Sequence, residues 1–209
     1  MLINNFLDNP LNFLLWILAI VLGLTIHEFS HALAGKLQGD HTAEIEGRLS
    51  LNPLAHIDWL GFALLVVAGF GWAKPTPFNP YNLKYKKYGS LLVALAGPVS
   101  NVIFVVFIGL ILHFLYQING QINIQNLMVM FFINLIQVNI LLAVFNLIPI
   151  PPLDGSKILY TFIAQKYQEV IFALERYGTW LLLALVFFGG SFISKIFYFF
   201  YKITINLIF

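Results

Sequence analysis

Four long apolar segments constrain the fold of this chain more than any other feature. Hydropathy places them at residues 11–34, 91–116, 127–148 and 177–199. Each is close to the ~20 residues that a helix needs to cross the hydrocarbon core of a bilayer. Only 10% of the residues are charged, against about 25% in a soluble domain. The sequence therefore predicts an all-α polytopic membrane protein with about four transmembrane helices, forming a single domain over residues 1–209.

A fifth apolar stretch, at residues 60–73, is too short for another span. It contains Gly61, Gly69 and Gly71, and it leads into WAKPTPFNP, where three prolines fall within six residues. Glycine and proline in this pattern favour a chain that turns back, so we expect a short re-entrant or hairpin segment. The segment TAEIEGRLSL (42–51) alternates polar and apolar residues around a glycine. This alternation is compatible with a small β-hairpin on the cytosolic side.

The positions of the basic residues predict the orientation. If residues 60–73 do not cross, nine basic residues share one side, namely Lys36, Arg48, Lys74, Lys84, Lys86, Lys87, Lys157, Lys166 and Arg176. Basic residues concentrate in cytosolic loops. We therefore expect an integral membrane protein with the N-terminus outside and these loops in the cytosol. Lys195 and Lys202 fit this arrangement less well, so the orientation of the last 15 residues stays open.

Composition also limits the chemistry. The chain has no cysteine, which excludes thiolate metal sites, and its net charge of +2 gives no indication of nucleic-acid binding. Any metal ion would be bound by histidine and carboxylate side chains. The sequence does not predict an oligomeric state.

The segment HEFSH, at residues 27–31, places ionisable groups near the end of the first apolar segment. Such groups cost about 2.5–3.5 kcal/mol each within a span, so they usually serve a function. In H-E-x-x-H on a helix, the two histidines lie one turn apart and can bind one zinc ion. His27 and His31 are thus candidate ligands, and Glu28 is the candidate base that takes a proton from the attacking water.

A zinc site of this kind needs a third protein ligand. The spacing used for a third histidine in soluble metalloproteases would fall on Leu37, and His41 and His56 have no spacing that favours them. Asp154 is the better candidate, because it follows the third span in NLIPIPPLDG, whose prolines end the helix. In the predicted topology, Asp154 and HEFSH reach the same side of the membrane at similar depth.

Three motifs together resemble the site-2 protease family of intramembrane zinc metalloproteases: HEFSH, LAGPVSN (95–101) and NLIPIPPLDG (146–155). LSLNPLAHID (49–58) and GWAKPTPFNP (71–80) are similar to its compact prokaryotic members, which lack PDZ and CBS modules. The resemblance covers residues 14–160 and implies that the protein lies in a prokaryotic cell membrane, with the active site toward the cytosolic side. It implies one zinc ion held by His27, His31 and Asp154, with Glu28 as the catalytic acid/base. It also implies that Asn146 stabilises the developing oxyanion or positions the substrate.

Two functions follow from these residues. The first is an intramembrane endopeptidase that cleaves a transmembrane segment of a single-span membrane protein. The alternative is a zinc-binding membrane transporter or sensor without peptidase activity, because intramembrane His and Asp also mark ion pathways. Glu28 discriminates between them, since hydrolysis needs a base beside the ligands and transport does not.

Overall fold

The computed structural model describes residues 9–69, 71–163 and 167–209. Its helices are α1 (Pro10–Leu37), α2 (Thr42–Ile45), α3 (Trp59–Ala68), α4 (Gly89–Asn119), α5 (Leu127–Asn146), α6 (Asp154–Phe162), α7 (Gln168–Phe188) and α8 (Gly190–Ile208). Among these residues, four helices are long and apolar enough to cross a membrane, namely α1, α4, α5 and α7. The prediction of an all-α polytopic membrane protein is confirmed.

Capping residues define the ends of the spans. Before α1, the Asn9 side chain accepts a hydrogen bond of 3.0 Å from the Asn12 amide, and a proline follows at the first helical position. Asn126 caps α5 through the Met128 amide in the same way. Gly120 ends α4 with a φ of +66°, a conformation that glycine adopts without strain. The first three predicted spans therefore agree with α1, α4 and α5 to within three residues at each end.

Helices α1, α4 and α5 pack on one another, and α8 completes their apolar core. The central side chains come from all four helices: Ala19, Ile20, Val105, Ile108, Leu112, Leu135, Ile136, Val138 and Ile208. His113 Nδ1, near the end of α4, lies 2.6 Å from the Ile208 carbonyl oxygen, near the end of α8. Phe192, near the start of α8, lines a groove with Ile148 and Pro149, just after α5. Helix α8 therefore runs parallel to α4, from the face where α5 ends to the face where α4 ends.

The short apolar stretch turns back, as predicted. Helix α3 has 10 residues, or about 15 Å, half the ~30 Å thickness of a hydrocarbon core. Its N-cap Asp58 accepts from the Gly61 amide, and Gly69 ends it with a φ of +84°. The returning chain then pairs with the residues before the helix through an Ile57–Ala73 bridge and a 2.8 Å bond from the Lys74 amide to His56 O. We call residues 56–76 the re-entrant hairpin.

The prediction of a fourth span at residues 177–199 was wrong in its boundaries. Helix α7 covers Gln168–Phe188, and a separate helix, α8, begins at Gly190. The predicted span crosses Gly189 and Gly190, which carry no side chain to pack and favour a break between helices. Hydropathy does not detect this break, because the residues on both sides of it are equally apolar.

The β-hairpin suggested for residues 42–51 does not form. Thr42–Ile45 is a helical turn, and Gly47 has a φ of +69°. The Arg48 amide then donates to Ala43 O at 2.7 Å and closes the turn. Across the residues that are described, the one β interaction outside helices is the isolated Ile57–Ala73 bridge. The alternating pattern was misleading because a helical turn satisfies this short segment's backbone locally, without a partner strand.

A buried carboxylate joins the turn after α1 to the chain that follows the re-entrant hairpin. Asp40 is 1% exposed. It accepts hydrogen bonds from the Thr42 hydroxyl at 2.6 Å, the Asn79 amide at 2.7 Å and the Asn82 side chain at 3.1 Å. Burial raises the pKa of Asp40, but these hydrogen bonds outweigh it and hold the pKa below its ordinary value of 3.8. Asp40 therefore fixes the far end of the extended segment at residues 73–79.

We expect Asp40→Ala to destabilise the protein by roughly 2–4 kcal/mol, because four donor groups, on Thr42, Asn79 and Asn82, lose a charged acceptor. Thermal unfolding in detergent measures this change, and Glu46→Ala, at an exposed acid nearby, is the control. Because the folded-state pKa is lowered, the contribution is present at neutral pH. It should be lost as the pH falls below 3.8 and through the folded-state value. Equal melting temperatures for Asp40→Ala and wild type at pH 7 would contradict this assignment.

Candidate metal centre

One face of α1 carries small and polar residues at a spacing of four. These residues are Ala19, Gly23, His27, His31 and Gly35, and all are buried. Gly97 of α4 lies against the two histidines. A Cβ atom at Gly97 would stand 2.5 Å from His31 Nε2 and 2.6 Å from His27 Nε2. Only glycine allows the α4 backbone to come this close, and the approach leaves the imidazoles 2% and 6% exposed.

Asp154 reaches the histidines as the first residue of α6. The prolines after α5 end that helix, and the chain turns so that Asp154 Oδ2 lies 3.1 Å from both His27 Nε2 and His31 Nε2. The two Nε2 atoms are 3.0 Å apart. A tetrahedral zinc ion with bonds of ~2.0–2.1 Å separates its ligand atoms by about 3.3 Å. The observed triangle is close to that size, and two imidazoles with a carboxylate are typical donors of catalytic zinc sites.

Hydrogen bonds fix which nitrogen of each imidazole points into the triangle. His27 Nδ1 lies 2.6 Å from Asn101 Oδ1, and His31 Nδ1 lies 2.6 Å from the Val93 carbonyl oxygen. Both oxygens are acceptors in this arrangement, since the Asn101 amide nitrogen donates to Gly23 O and to Asn139 Oδ1. Each Nδ1 must therefore carry the hydrogen. Both Nε2 atoms keep a lone pair for a metal ion, as in other metal-binding histidines.

Glu28 lies beside this group and is held by the extended segment at residues 73–79, where that segment forms the last part of the re-entrant hairpin. Its Oε2 accepts a 2.9 Å hydrogen bond from the Thr76 amide, and its own carbonyl oxygen accepts a 3.1 Å bond from the Thr76 hydroxyl. Glu28 is 8% exposed. The carboxylate is thus fixed by a backbone group of a segment that is itself tied at Lys74 and Asn79.

The structure brings the five predicted site residues together. His27, Glu28, His31, Asn146 and Asp154 all line one cavity of about 90 Å³. One hydrogen of the Asn146 amide is used on Leu142 O at 3.0 Å, which leaves its second hydrogen for another acceptor. The alternative ligands lie elsewhere. His41 is exposed and pairs with Glu44, while His56 bonds to Ser50 O.

Three hydrogen-bonding groups and one charged side chain at the site were not predicted from the sequence. No role at the site was predicted for Asn101, the last residue of LAGPVSN, although its spacing of four from Gly97 on a helix places the two residues on the same face. The Val93 carbonyl and the Thr76 amide are backbone groups, which no side-chain pattern reveals. Lys157 Nζ lies 3.8 Å from Asp154 Oδ1, and Lys157 was read only as a topological charge.

A polytopic membrane protein that buries two imidazoles, a carboxylate and a neighbouring glutamate in one cavity has the features of a membrane metallohydrolase. Comparison with known proteins identifies the family. Residues 115–189 match the model of peptidase family M50. "Putative zinc metalloprotease YwhC" of Bacillus subtilis is 38% identical over 178 residues, which cover 84% of this chain and 81% of that protein.

Two further relatives carry similar names. "Putative zinc metalloprotease Rip2" of Mycolicibacterium smegmatis is 29% identical over 79% of this chain and 64% of its own length. "Putative zinc metalloprotease MJ0611" of Methanocaldococcus jannaschii is 29% identical over 70% of both chains. No solved structure gives a significant match. The chain belongs to peptidase family M50, the site-2 proteases, and is a zinc-dependent peptide-bond hydrolase in the membrane.

We expect Gly97→Ala to abolish zinc binding, because the added methyl group would displace both imidazoles. Zinc per purified chain is the measurement. Gly109→Ala is a matched control on the same helix, because its methyl group would meet only the flexible end of Ile208 at 3.2 Å. Normal zinc content in Gly97→Ala would show that α4 does not press on the histidines in this way.

We expect Asn101→Leu to weaken zinc affinity about 10–100-fold, since the hydrogen-bond partner of a metal-binding histidine sets its tautomer and orientation. Competition with a chelator measures the affinity. Asn134→Leu is the control, because Asn134 is also a buried asparagine but bonds to Asn12 at the other end of the bundle. Equal zinc affinities of Asn101→Leu and Asn134→Leu would show that Asn101 does not orient His27 for metal binding.

Proposed function

We propose that His27 Nε2, His31 Nε2 and a carboxylate oxygen of Asp154 hold the zinc, one ion per chain, and that Glu28 is the catalytic acid/base. The observation that supports this most directly is the triangle of donor atoms, 3.0–3.1 Å on each side. Two neutral imidazoles with two carboxylates also balance the charge of a divalent ion. That balance is favourable where water is largely excluded.

The residues around the cavity have different roles in hydrolysis. Zinc in such a site supplies Lewis acidity, which polarises the scissile carbonyl and makes water a nucleophile near neutral pH. The Thr76 amide holds Oε2 of Glu28, and the carboxylate takes the proton of the attacking water through Oε1. The same group then gives that proton to the leaving nitrogen. The second hydrogen of the Asn146 amide donates to the scissile carbonyl oxygen and keeps it in position.

We propose that the substrate is a transmembrane segment of a single-span membrane protein. A helix hides its amides in internal hydrogen bonds, so the segment must unwind before the carbonyl is accessible. The site lies toward the end of α1 that bears the basic loops, which favours cleavage near the cytosolic face of the cell membrane. Since α8 packs into the same core as α1, α4 and α5, we treat the whole chain as one domain.

The zinc content of detergent-purified protein tests the proposed ligands without any substrate. Wild type should hold about one zinc per chain, and His27→Ala and Asp154→Ala should lose it or bind it far more weakly. His41→Ala is the matched control, because that histidine is exposed and distant from the cavity. Full zinc content in Asp154→Ala would mean that the third ligand lies elsewhere.

Glu28→Gln tests the reaction. The variant should keep its zinc and lose cleavage by a factor of 100 or more, the scale expected for loss of a general acid/base. Mass spectrometry of membrane proteins from cells expressing wild type or Glu28→Gln should reveal fragments of single-span proteins in the wild type alone. A transporter or sensor would give the same fragments, or none, in both strains.

A further inference from the structure

A second, larger cavity lies beside the proposed active site. It has a volume of about 160 Å³ and lies between α1, α5 and the re-entrant hairpin. Its walls are mainly apolar and include Trp16, Leu24, Phe62, Trp72 and Leu142. An apolar cavity of roughly 150 Å³ is large enough to bind benzene, so this one can take an isobutyl or benzyl group.

The same three elements line both cavities. Helix α1 contributes Leu24 to the apolar cavity and Glu28 to the site, and α5 contributes Leu142 and then Asn146. Residues four apart lie one above the other on a helix, about 6 Å apart along its axis. The extended segment contributes Ala73 to the apolar cavity and Thr76 to the site. The two cavities are therefore neighbours along α1 and α5, and we call them together the trough; its apolar part lies deeper, toward the middle of α1.

The apolar part of the trough also contains a buried hydrogen-bond acceptor without a partner. His56 lines this cavity and is 2% exposed. Its Nε2 lies 2.7 Å from the Ser50 carbonyl oxygen, which requires a hydrogen on Nε2 and leaves a lone pair on Nδ1. Nδ1 has no hydrogen-bond partner within the described chain. A buried acceptor of this kind needs a donor, so the occupant must bring one.

We propose that this part of the trough is a specificity pocket for the substrate. It receives an apolar side chain from the membrane-embedded side of the scissile bond, while His56 Nδ1 accepts a hydrogen bond from an N–H of the unwound substrate. This inference rests on the proposed function, which supplies the unwound segment. Three residues of extended chain cover about 10 Å, so the recognised side chain lies within about three residues of the scissile bond.

The experiment uses zinc-loaded, detergent-solubilised full-length protein and chelating probes whose binding needs no turnover. The probes are N-acyl glycine, leucine and phenylalanine hydroxamates, which bind zinc through one common group and differ in the side chain. Calorimetric titration should show affinity rising about tenfold or more from glycine to phenylalanine, the gain expected from burying the larger group. Methylation of the amide nitrogen, which removes the N–H, should weaken binding several-fold.

Two variants and one control test whether these binding effects arise in the apolar cavity. Val21→Trp fills the apolar cavity, which Val21 lines, and should abolish the preference for the larger side chains. Val106→Trp makes the same change on the outer face of α4, where Val106 is 57% exposed, and should preserve it. His56→Lys keeps a donor for Ser50 O and has no acceptor to replace Nδ1, so its affinity should not change when the probe amide is methylated.

The possible outcomes distinguish failure of the specificity pocket from failure of the proposed function. Equal affinity of wild type for all three probes would overturn the specificity pocket and leave the zinc site intact. A side-chain preference that survives Val21→Trp in folded protein would also overturn it, because the preference would then come from another surface. Failure of zinc-loaded wild type to bind any hydroxamate would overturn the proposed function and the pocket together.

Discussion

The arrangement of the membrane core depends on one electrostatic constraint: polar atoms buried there must find partners within the protein. His27 and His31 satisfy it through Asn101 and the Val93 carbonyl, and Asn101 is satisfied in turn by Gly23 O and Asn139. These bonds join α1, α4 and α5 at the depth of the site. The same hydrogen-bond network therefore determines how the three helices pack and how the Nε2 lone pairs of His27 and His31 are oriented.

The side chains of the candidate site could be predicted from the sequence, whereas their backbone partners could not. H-E-x-x-H has a spacing that requires one helix face, and the topology brought Asp154 to the same side of the membrane. A carbonyl such as that of Val93, or an amide such as that of Thr76, is present at every non-proline residue. Its role depends on which turn of α4 or which point of the extended segment meets α1, and only the tertiary structure determines that.

Helices whose ends coincide with a change from apolar to polar residues could be predicted from the sequence. Helix breaks and turns that depend on local backbone geometry could not. Helices α1 and α5 begin at capping asparagines, and α4 ends at Gly120 before a polar loop, so hydropathy located these three spans well. Helices α7 and α8 are separated by two glycines within a continuous apolar region, which hydropathy averages into one segment. The turn at Thr42–Ile45 depends on the positive φ of Gly47 and on the buried Asp40 carboxylate. The alternation of polar and apolar residues reveals neither of these features.

The extended segment beside Glu28 is fixed at both of its ends. The Lys74 amide ties one end to His56, Asp40 ties the other end at Asn79, and Pro75 and Pro77 restrict the backbone between them. Held at both ends in this way, the segment gives the cavity one restrained wall. The opposite wall includes Pro152 of the turn after α5, and Pro151 of the same turn packs against Gly178 of α7, a helix with little of its surface buried. The carboxylate of Glu28, the proposed acid/base, therefore lies on the restrained wall of the cavity, opposite the wall with fewer tertiary contacts.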